Sequence, residues 1–573
     1  MSRHGRVTLA LLSILTILTM LAGACTPSPA PTPSGGQQPA DTAAPKPTAV
    51  VAPTTAPAKP KIVTITFVQE PDNLNPIYTN MYFTAILRDF YLMGLWNFDD
   101  QGQPVPQIAA EIPSQANGGI SADNLTFTIK LRPDAKWSDG EPITAEDFVF
   151  TYDMIISDKN TGQSRYPYDV AVDSVTAKDA QTLVVQFKEP FAPWLTSLFT
   201  YVLPKHTLQP VFEKDGTLDQ AEWNRKPDPG VGPFVFKEWS SGSHLSFVKN
   251  TKHWQPPKVE QIFVRVVPDD AAQLAAIKAG DTDIGVFLST ADVPDLQALG
   301  TVDTPLVGSG YDEAIFFNMA ENGHPALKDP DVRRAIGLAI NREEIVKELL
   351  LGVTPVAATY WDTTPPYHDP AIQPPPYDPD QAKQLLDAAG WKDPGTGVRE
   401  KDGVKLHLRY ITNQREVRKS VQAVVQQQLL AVGIETELIN YNSDVYFNSF
   451  GQGGPVATGQ YDLAEWSQNT AYPDPDTSVF LCSEIPSAEQ PEGQNWSGYC
   501  DPEVDRLLQE QRTETDQAKR IDLFAQIQQI MYDETLWLGM WQDPDIWSTA
   551  KRISGIKMSG STPFWNSYDW DIP

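Results

Sequence analysis

Residues 131–153 read LRPDAKWSDGEPITAEDFVFTYD. The run LTFTIKL leads into them, with Leu125, Phe127, Ile129 and Leu131 on one face and Thr126, Thr128 and Lys130 on the other. That period of two describes a half-buried strand. Asp139-Gly140 then makes a turn. Thr144 has the chemistry of an N-cap, and Asp147 falls in the first turn of the helix it opens, where a carboxylate complements the helix dipole. The segment holds no His, no Cys and no phosphate-binding loop, so it performs no chemistry unaided. Trp137 and Asp139 within it read as structural.

Toward the N-terminus, Arg3, His4 and Arg6 precede an uncharged apolar run from Val7 to Met20, followed by Leu21-Ala22-Gly23-Ala24-Cys25. A basic start, an apolar stretch and small residues before a cleavage point describe a secretory signal. A Cys directly after the small residues resembles a bacterial lipobox, with Ala22 where Leu is common. Residues 1–25 are therefore expected to be a lipoprotein signal, with Cys25 the lipidated first residue of the mature chain. Residues 26–60 are nearly all Pro, Ala, Thr, Ser, Gly and Gln, which bury nothing and are expected to form a disordered tether.

About 510 residues remain, too many for one core, so two or three lobes are expected. The formal net charge of −29 repels nucleic acid. Beyond Cys25 the chain has two cysteines, Cys482 and Cys500. In an exported protein these favour a disulfide over two free thiols. Closing that loop would stabilise the fold by about 3 kcal/mol in the chain-entropy model.

Strand-like and helix-like runs alternate throughout. Ile62–Val68, Leu183–Phe187, Ile262–Val267 and Asp283–Phe287 read as strands, and Pro233–Lys237 with Leu245–Lys249 as a hairpin. A helix over Asp269–Ala279 between two of these strands implies parallel pairing. Asp329 or Asp331 opens a helix; Asn341 and Glu344 resemble a capping box for the next, which stops at Gly352. Asp378, Pro379 and Gln381 open a third that ends at Gly390. Val417, Val421, Val424, Val425 and Leu429 stripe a fourth, flanked by strands Val404–Ile411 and Ile434–Ile439. Asp501-Pro502 and Asp516 open two more. These stripes read as core.

Residues 131–153 closely resemble the signature of the extracytoplasmic solute-binding proteins of the peptide/nickel class, family 5, which feed ABC importers. Four further segments carry the resemblance: GVGPFVFKEW (230–239), LAAIKAGDTDI (274–284), FFNMAENGHPALKDPDVRRAIGLAINREEIV (316–346), and YPDPDTSVFL (472–481) followed by NWSGYCDPEVDRLL (495–508). It implies an α/β fold of the periplasmic-binding-protein type, class II, with two lobes joined by crossing strands. Lobe I would comprise residues 61–91, 229–312 and 540–573, an extra subdomain of lobe I residues 92–228, and lobe II residues 313–539. It also implies a monomeric receptor, held by lipid on the outer face of the cytoplasmic membrane. Such a receptor takes a solute between its lobes and delivers it to an ABC permease and ATPase, with no cofactor and no covalent step.

By the same resemblance the ligand-binding candidates are Tyr78, Asn80, Tyr166, Tyr168, Trp466, Tyr472, Asp474, Trp496 and Tyr499. One position departs from the family. Peptide-binding members place an Asp for the peptide's α-ammonium a few residues before the Asp474-Pro475 element, and Ala471 stands there. Asp474 or Asp476 is the available substitute. An oligosaccharide ligand is the alternative, given the Trp and Tyr supply. The rival from another class is an exported hydrolase. The chain has no Gly-x-Ser-x-Gly, His-Glu-x-x-His, Cys-x-x-Cys or Walker loop, and its seven His are scattered. A sensor or chaperone role and nickel or haem binding are further alternatives, the latter without a His/Cys cluster to support it.

Overall fold

The computed structural model describes residues 60–573 apart from 363–366, 470–473, 476 and 559–561. The signal segment with Cys25, nearly all of the tether, Ala471, Tyr472 and Asp476 lie outside the described residues.

The first strand, Ile62–Phe67, lies at the centre of a seven-stranded sheet. The order is Val302–Asp303, Ser548–Ala550, Ile284–Gly285, Ile62–Phe67, Gln261–Val266, His244–Lys249, Phe234–Ser240. Val63, Ile65 and Phe67 are fully buried there, which is the alternation of a strand sealed on one face. Gln261–Val266 and Ile284–Gly285 both run parallel to the first strand, one on each side of it. The strand-helix-strand unit is thus parallel as expected, but Ile62–Phe67 is inserted between its two strands.

The stretch around 131–153 belongs to a separate three-stranded sheet, in which Thr126–Lys130 pairs antiparallel with Thr182–Phe187. Helix Ala145–Ile156 covers this sheet with Phe148 fully buried. Its start is held by Asp147, whose carboxylate accepts the Thr144 backbone N–H at 2.9 Å and the Lys205 N–H at 3.1 Å. Trp137 is fully buried and Asp139 pairs with His206 at 2.8 Å, so both serve the scaffold. The subdomain and the first lobe share one apolar cluster.

The second lobe is a five-stranded sheet in the order Glu435–Tyr441, His407–Asn413, Leu463–Asn469, Leu306–Phe317, Trp537–Ile546. Leu306–Phe317 and Trp537–Ile546 are the crossing strands. The first follows Val302–Asp303 out of the first lobe, and the second leads back to Ser548–Ala550. They pair antiparallel, with register shifts between Gly308 and Asp312 and between Glu313 and Ala314. Gly310, at φ 71, supplies the left-handed backbone beside the first shift. The period of two then sorts side chains between two cores. Ile315 and Phe317 face one apolar cluster, with helices Pro330–Ala339 and Glu416–Ala431; Ala314 and Phe316 face the other.

Several boundaries differ from the sequence reading for local reasons. The strand expected over Asp283–Phe287 is confined to Ile284–Gly285, and Phe287 has φ 56. Val404–Ile411 divides: Val404–Lys405 pairs with Glu400–Lys401, and the strand of the five-stranded sheet is His407–Asn413. Asn341 accepts the Glu344 N–H at 3.1 Å, but the Glu344 carboxylate accepts from the Asn341 side chain, not from its backbone. The Asn341 backbone N–H goes instead to Gln428 at 2.9 Å, so half of the expected capping box is replaced by a tertiary contact. That helix ends at Leu349, before Gly352.

Candidate ligand-binding cleft

On one face of the second lobe's sheet, Trp466 lies opposite Ala314 in register. The small Ala314 lets the indole slide over Phe316, and the two rings stack at 3.7 Å with an interplanar angle of 4°. Gln468, the next residue on that face of the strand, accepts the Trp466 Nε1–H at 3.0 Å and fixes the indole's orientation. These side chains, with Trp496, Tyr499 and Leu536, line a recess.

Trp496 and Tyr499 reach the recess from the loop that Cys482 and Cys500 close; the two sulfurs are bonded. The loop is braced from inside by fully buried Asn495, whose side-chain amide donates to the Leu481 and Tyr499 carbonyls at 3.0 and 2.8 Å. The Tyr461 hydroxyl donates to the Trp496 carbonyl at 2.8 Å. A Cβ on Gly493 would lie 2.4 Å from the Glu484 carbonyl oxygen, so the chain passes there only as glycine. The loop therefore presents Trp496 as a fixed wall, its ring 5.8 Å from that of Trp466.

The rim of this loop meets the subdomain. Gln494 Nε2 donates to the Gln163 carbonyl at 3.5 Å, and Arg165 lies 3.7 Å from Glu492. Nearby, Arg512 donates to Glu189 at 2.8 Å, and the Ala192 N–H donates to the Arg512 carbonyl at 2.7 Å. At the other end, beside the crossing strands, Tyr82 of the first lobe sets its ring edge-on to Tyr311 at 5.4 Å. Arg415 of the second lobe reaches over Phe287 of the first at 5.6 Å. The two lobes thus touch at the rim and at the hinge, and the recess is lined by second-lobe residues, with Gln494 both in its lining and at the rim contact.

A charged network underlies the opposite face of the second lobe's sheet. Arg418 donates two hydrogen bonds of 2.8 Å to Glu313, with both side chains buried. Ser467 Oγ lies 2.6 Å from Glu313 and 2.7 Å from Asp543. Tyr410 donates to Glu465. Burial, then the nearby Glu313, push the Glu465 carboxyl well above the usual range.

The residues expected from sequence separate into three sets. Trp466, Trp496 and Tyr499 come together at the recess. Tyr78 packs half-buried on the first lobe's core, Asn80 is exposed, and Tyr166 is half-buried with its ring 6.2 Å from Phe191. Two others are committed to contacts within their own lobe. Tyr168 is buried in the subdomain core, where its hydroxyl oxygen accepts the Phe199 N–H at 2.8 Å. Asp474 accepts two hydrogen bonds from the buried Arg520, at 2.6 and 2.8 Å. Its charge is matched by that guanidinium within the second lobe. Phe316, Gln468 and Leu536 were not anticipated. Gln468 was within reach of the sequence, being two residues beyond Trp466 on one strand.

The family model for bacterial extracellular solute-binding proteins, family 5, matches residues 103–484. The oligopeptide-binding protein AppA of Bacillus subtilis is 26% identical over 522 residues, covering 88% of this chain and 90% of that protein. The oligopeptide-binding protein OppA of the same organism is 24% identical over 543 residues, covering 88% and 92%. The solved structure of the Bacillus subtilis AppA in complex with a nonapeptide superposes with a TM-score of 0.79 at 25% identity, over 90% of this chain and 100% of that one. The architecture is that of the two-lobed class II binding proteins, and the chain belongs to the bacterial extracellular solute-binding proteins of family 5.

Proposed function

We propose that this protein is the extracytoplasmic receptor of an ABC importer and captures oligopeptides between its two lobes. The observation that carries this reading is the recess walled by Trp466, Phe316 and Trp496, whose rim meets the subdomain through Gln494 and Arg165. The lining residues all belong to the second lobe, and a ligand held there that extends past Gln494 to the subdomain would touch both lobes and favour the closed arrangement. The likeness to two oligopeptide-binding proteins over most of their length supports a peptide as that ligand. Backbone amides of a bound peptide would find Gln468 and Gln494 as hydrogen-bonding groups beside the rings. The recess residues support binding and orientation rather than turnover, and the role we assign is not enzymatic.

The division into lobe I (61–91, 229–312, 540–573), its subdomain (92–228) and lobe II (313–539) is part of this proposal, supported by the three sheets. So are lipidation at Cys25, a monomeric state, and delivery to a membrane permease. Tyr78, Asn80 and Tyr166 remain candidates on the first-lobe side, and Tyr472 on the second. A neutral oligosaccharide is the second reading. It is favoured by one observation: Asp474 is occupied by Arg520, while the recess is rich in indole. Native mass spectrometry of protein purified without denaturation decides between them. Co-purifying peptides are expected, and recovery of oligosaccharide alone would overturn the peptide reading.

A further inference from the structure

Two segments of the subdomain lie side by side where it meets the second lobe. One runs from Gln163 to Tyr166 and the other from Glu189 to Ala192, and the rings of Tyr166 and Phe191 meet at 6.2 Å between them. Facing them are the disulfide-closed loop and the helix that follows it directly, Pro502–Thr513. Each side brings one arginine and one glutamate to this face. Arg512, in the last turn of the helix, donates to Glu189 at 2.8 Å, and Arg165 of the subdomain lies 3.7 Å from Glu492 of the loop. The two pairs thus have opposite polarity across the gap, which attracts in one register and repels in a shifted one.

The arginines are held ready by their own surroundings. Arg512 is neighboured by the fully buried Gln511, which donates to Thr477 Oγ1 at 3.1 Å and accepts from Arg520 at 3.1 Å. The turn that carries Arg512 is therefore tied to the segment leading to Val479 and Phe480 of the recess. The Arg512 carbonyl also accepts the Ala192 N–H at 2.7 Å. On the subdomain side, Asp158 holds Arg165 at 2.7 Å. The Arg512 side chain is 15% exposed and that of Glu189 44%, so salt in the solvent reaches the pair. Both lobes carry an excess of acidic residues within a formal net charge of −29, which opposes their approach. The four charges supply attraction at the rim, and none of them needs a ligand to find its partner.

We propose that Arg512 with Glu189 and Arg165 with Glu492 form an electrostatic latch that holds part of the ligand-free population with the lobes together. The latch thereby tunes the apparent affinity of the cleft, since that affinity scales with the fraction of the chain already able to bind. This inference rests on the receptor reading above and deepens it by naming a control on the same site, one that acts through ionic strength.

The test begins without ligand. Small-angle X-ray scattering of the full chain is recorded at about 0.01 M and about 1 M salt, which shortens the Debye length from about 30 Å to about 3 Å. Wild type is expected to have the larger radius of gyration at high salt. Arg512→Glu is expected to show that larger radius already at low salt, and the exchanged pair R512E/E189R to return it to the wild-type value. Melting curves confirm folding; R165E with R165E/E492R repeats the comparison at the second pair if R512E does not fold. Penta-alanine with free termini is then titrated calorimetrically at low salt. R512E is expected to bind it about two- to fivefold more weakly than wild type, and the exchanged pair to restore the affinity. A wild-type radius independent of salt, or an opened R512E that the exchange does not close, overturns the latch. Penta-alanine binding that R512E leaves unchanged excludes the latch while the receptor reading stands. Closure that follows salt and charge exchange, with no binding of penta-alanine, supports the latch and counts against a peptide ligand.

Discussion

The central strand of the first lobe, Ile62–Phe67, buries Val63, Ile65 and Phe67 in an apolar cluster that continues into the subdomain. A bidentate ion pair beside it joins Arg552, 50% exposed, to the buried Asp283, which also accepts the Thr64 N–H. The first crossing strand, which serves the second lobe, buries Glu313 on one face and Asp312 on the other. The first lobe is held by a non-directional force that tolerates small shifts in register. The second is held beside its hinge by groups that are satisfied in one arrangement only. Arg418, Glu313, Ser467 and Asp543 tie a helix to three strands, including both crossing strands. The lobe that presents the aromatic recess is thus also the one whose register is fixed by charge.

Removing the key cation from each lobe should break this contrast most visibly. Arg418→Met leaves Glu313 buried without its counter-charge, with only the Ser467 hydroxyl still bonded to it, and is expected to cost about 3–5 kcal/mol in urea unfolding. Arg552→Met is expected to cost less, about 1–2 kcal/mol, because Arg552 is half exposed and the buried Asp283 still accepts the Thr64 N–H at 2.8 Å. Equal losses would mean that the charged network does not distinguish the two lobes. The next largest effect belongs to the recess wall. Replacing Cys482 and Cys500 together by Ser should lower stability by about 3 kcal/mol, with weaker ligand binding as the loop carrying Trp496 loosens. Unchanged binding would show that Asn495 and its hydrogen bonds hold the loop unaided. Trp496→Ala should weaken ligand binding by about tenfold, close to 1.4 kcal/mol, with little change in melting temperature, because the ring is only partly buried.

The pH dependence sharpens the comparison further. Burial raises the Asp312 carboxyl well above its ordinary value, with Asp362 and Asp543 adding to the shift. The folded chain therefore holds this proton to higher pH than the unfolded chain does. The contribution to stability is fully present below the ordinary value of 3.8 and is lost as pH rises through the raised one. Ligand-free Asp312→Asn should accordingly gain stability over wild type as pH rises above about 4. Parallel melting curves across that range would contradict the raised carboxyl.

Much of the scaffold was legible because it rests on local chemistry. Asp269, Asp329, Asp378, Asp501 and Asp516 each cap the helix they were expected to open, and Gly280 ends one in the left-handed conformation. The alternation at 125–131 and the Thr144-Asp147 pair placed the subdomain sheet and helix directly. What escaped was non-local. The insertion of Ile62–Phe67 between two later strands depends on pairing across some 200 residues, which no window of sequence displays. Tyr168 and Trp466 are both aromatic residues at family-typical positions, yet one is bound to the Phe199 backbone in a core and the other lines the recess. Asp474 looked available until Arg520, 46 residues away, was found paired with it. Asp312 carried no signal in sequence, being one of 73 acidic residues. Only the crossing-strand register shows that it is buried on the recess side without a partner.

Small-angle X-ray scattering during a titration with a defined pool of free-amino oligopeptides tests the central claim most directly, since capture and closure are read in one experiment. A saturable fall in radius of gyration at one peptide per chain is the predicted result. A radius unchanged at saturating peptide, with no binding detected in the same samples by calorimetry, would contradict the account.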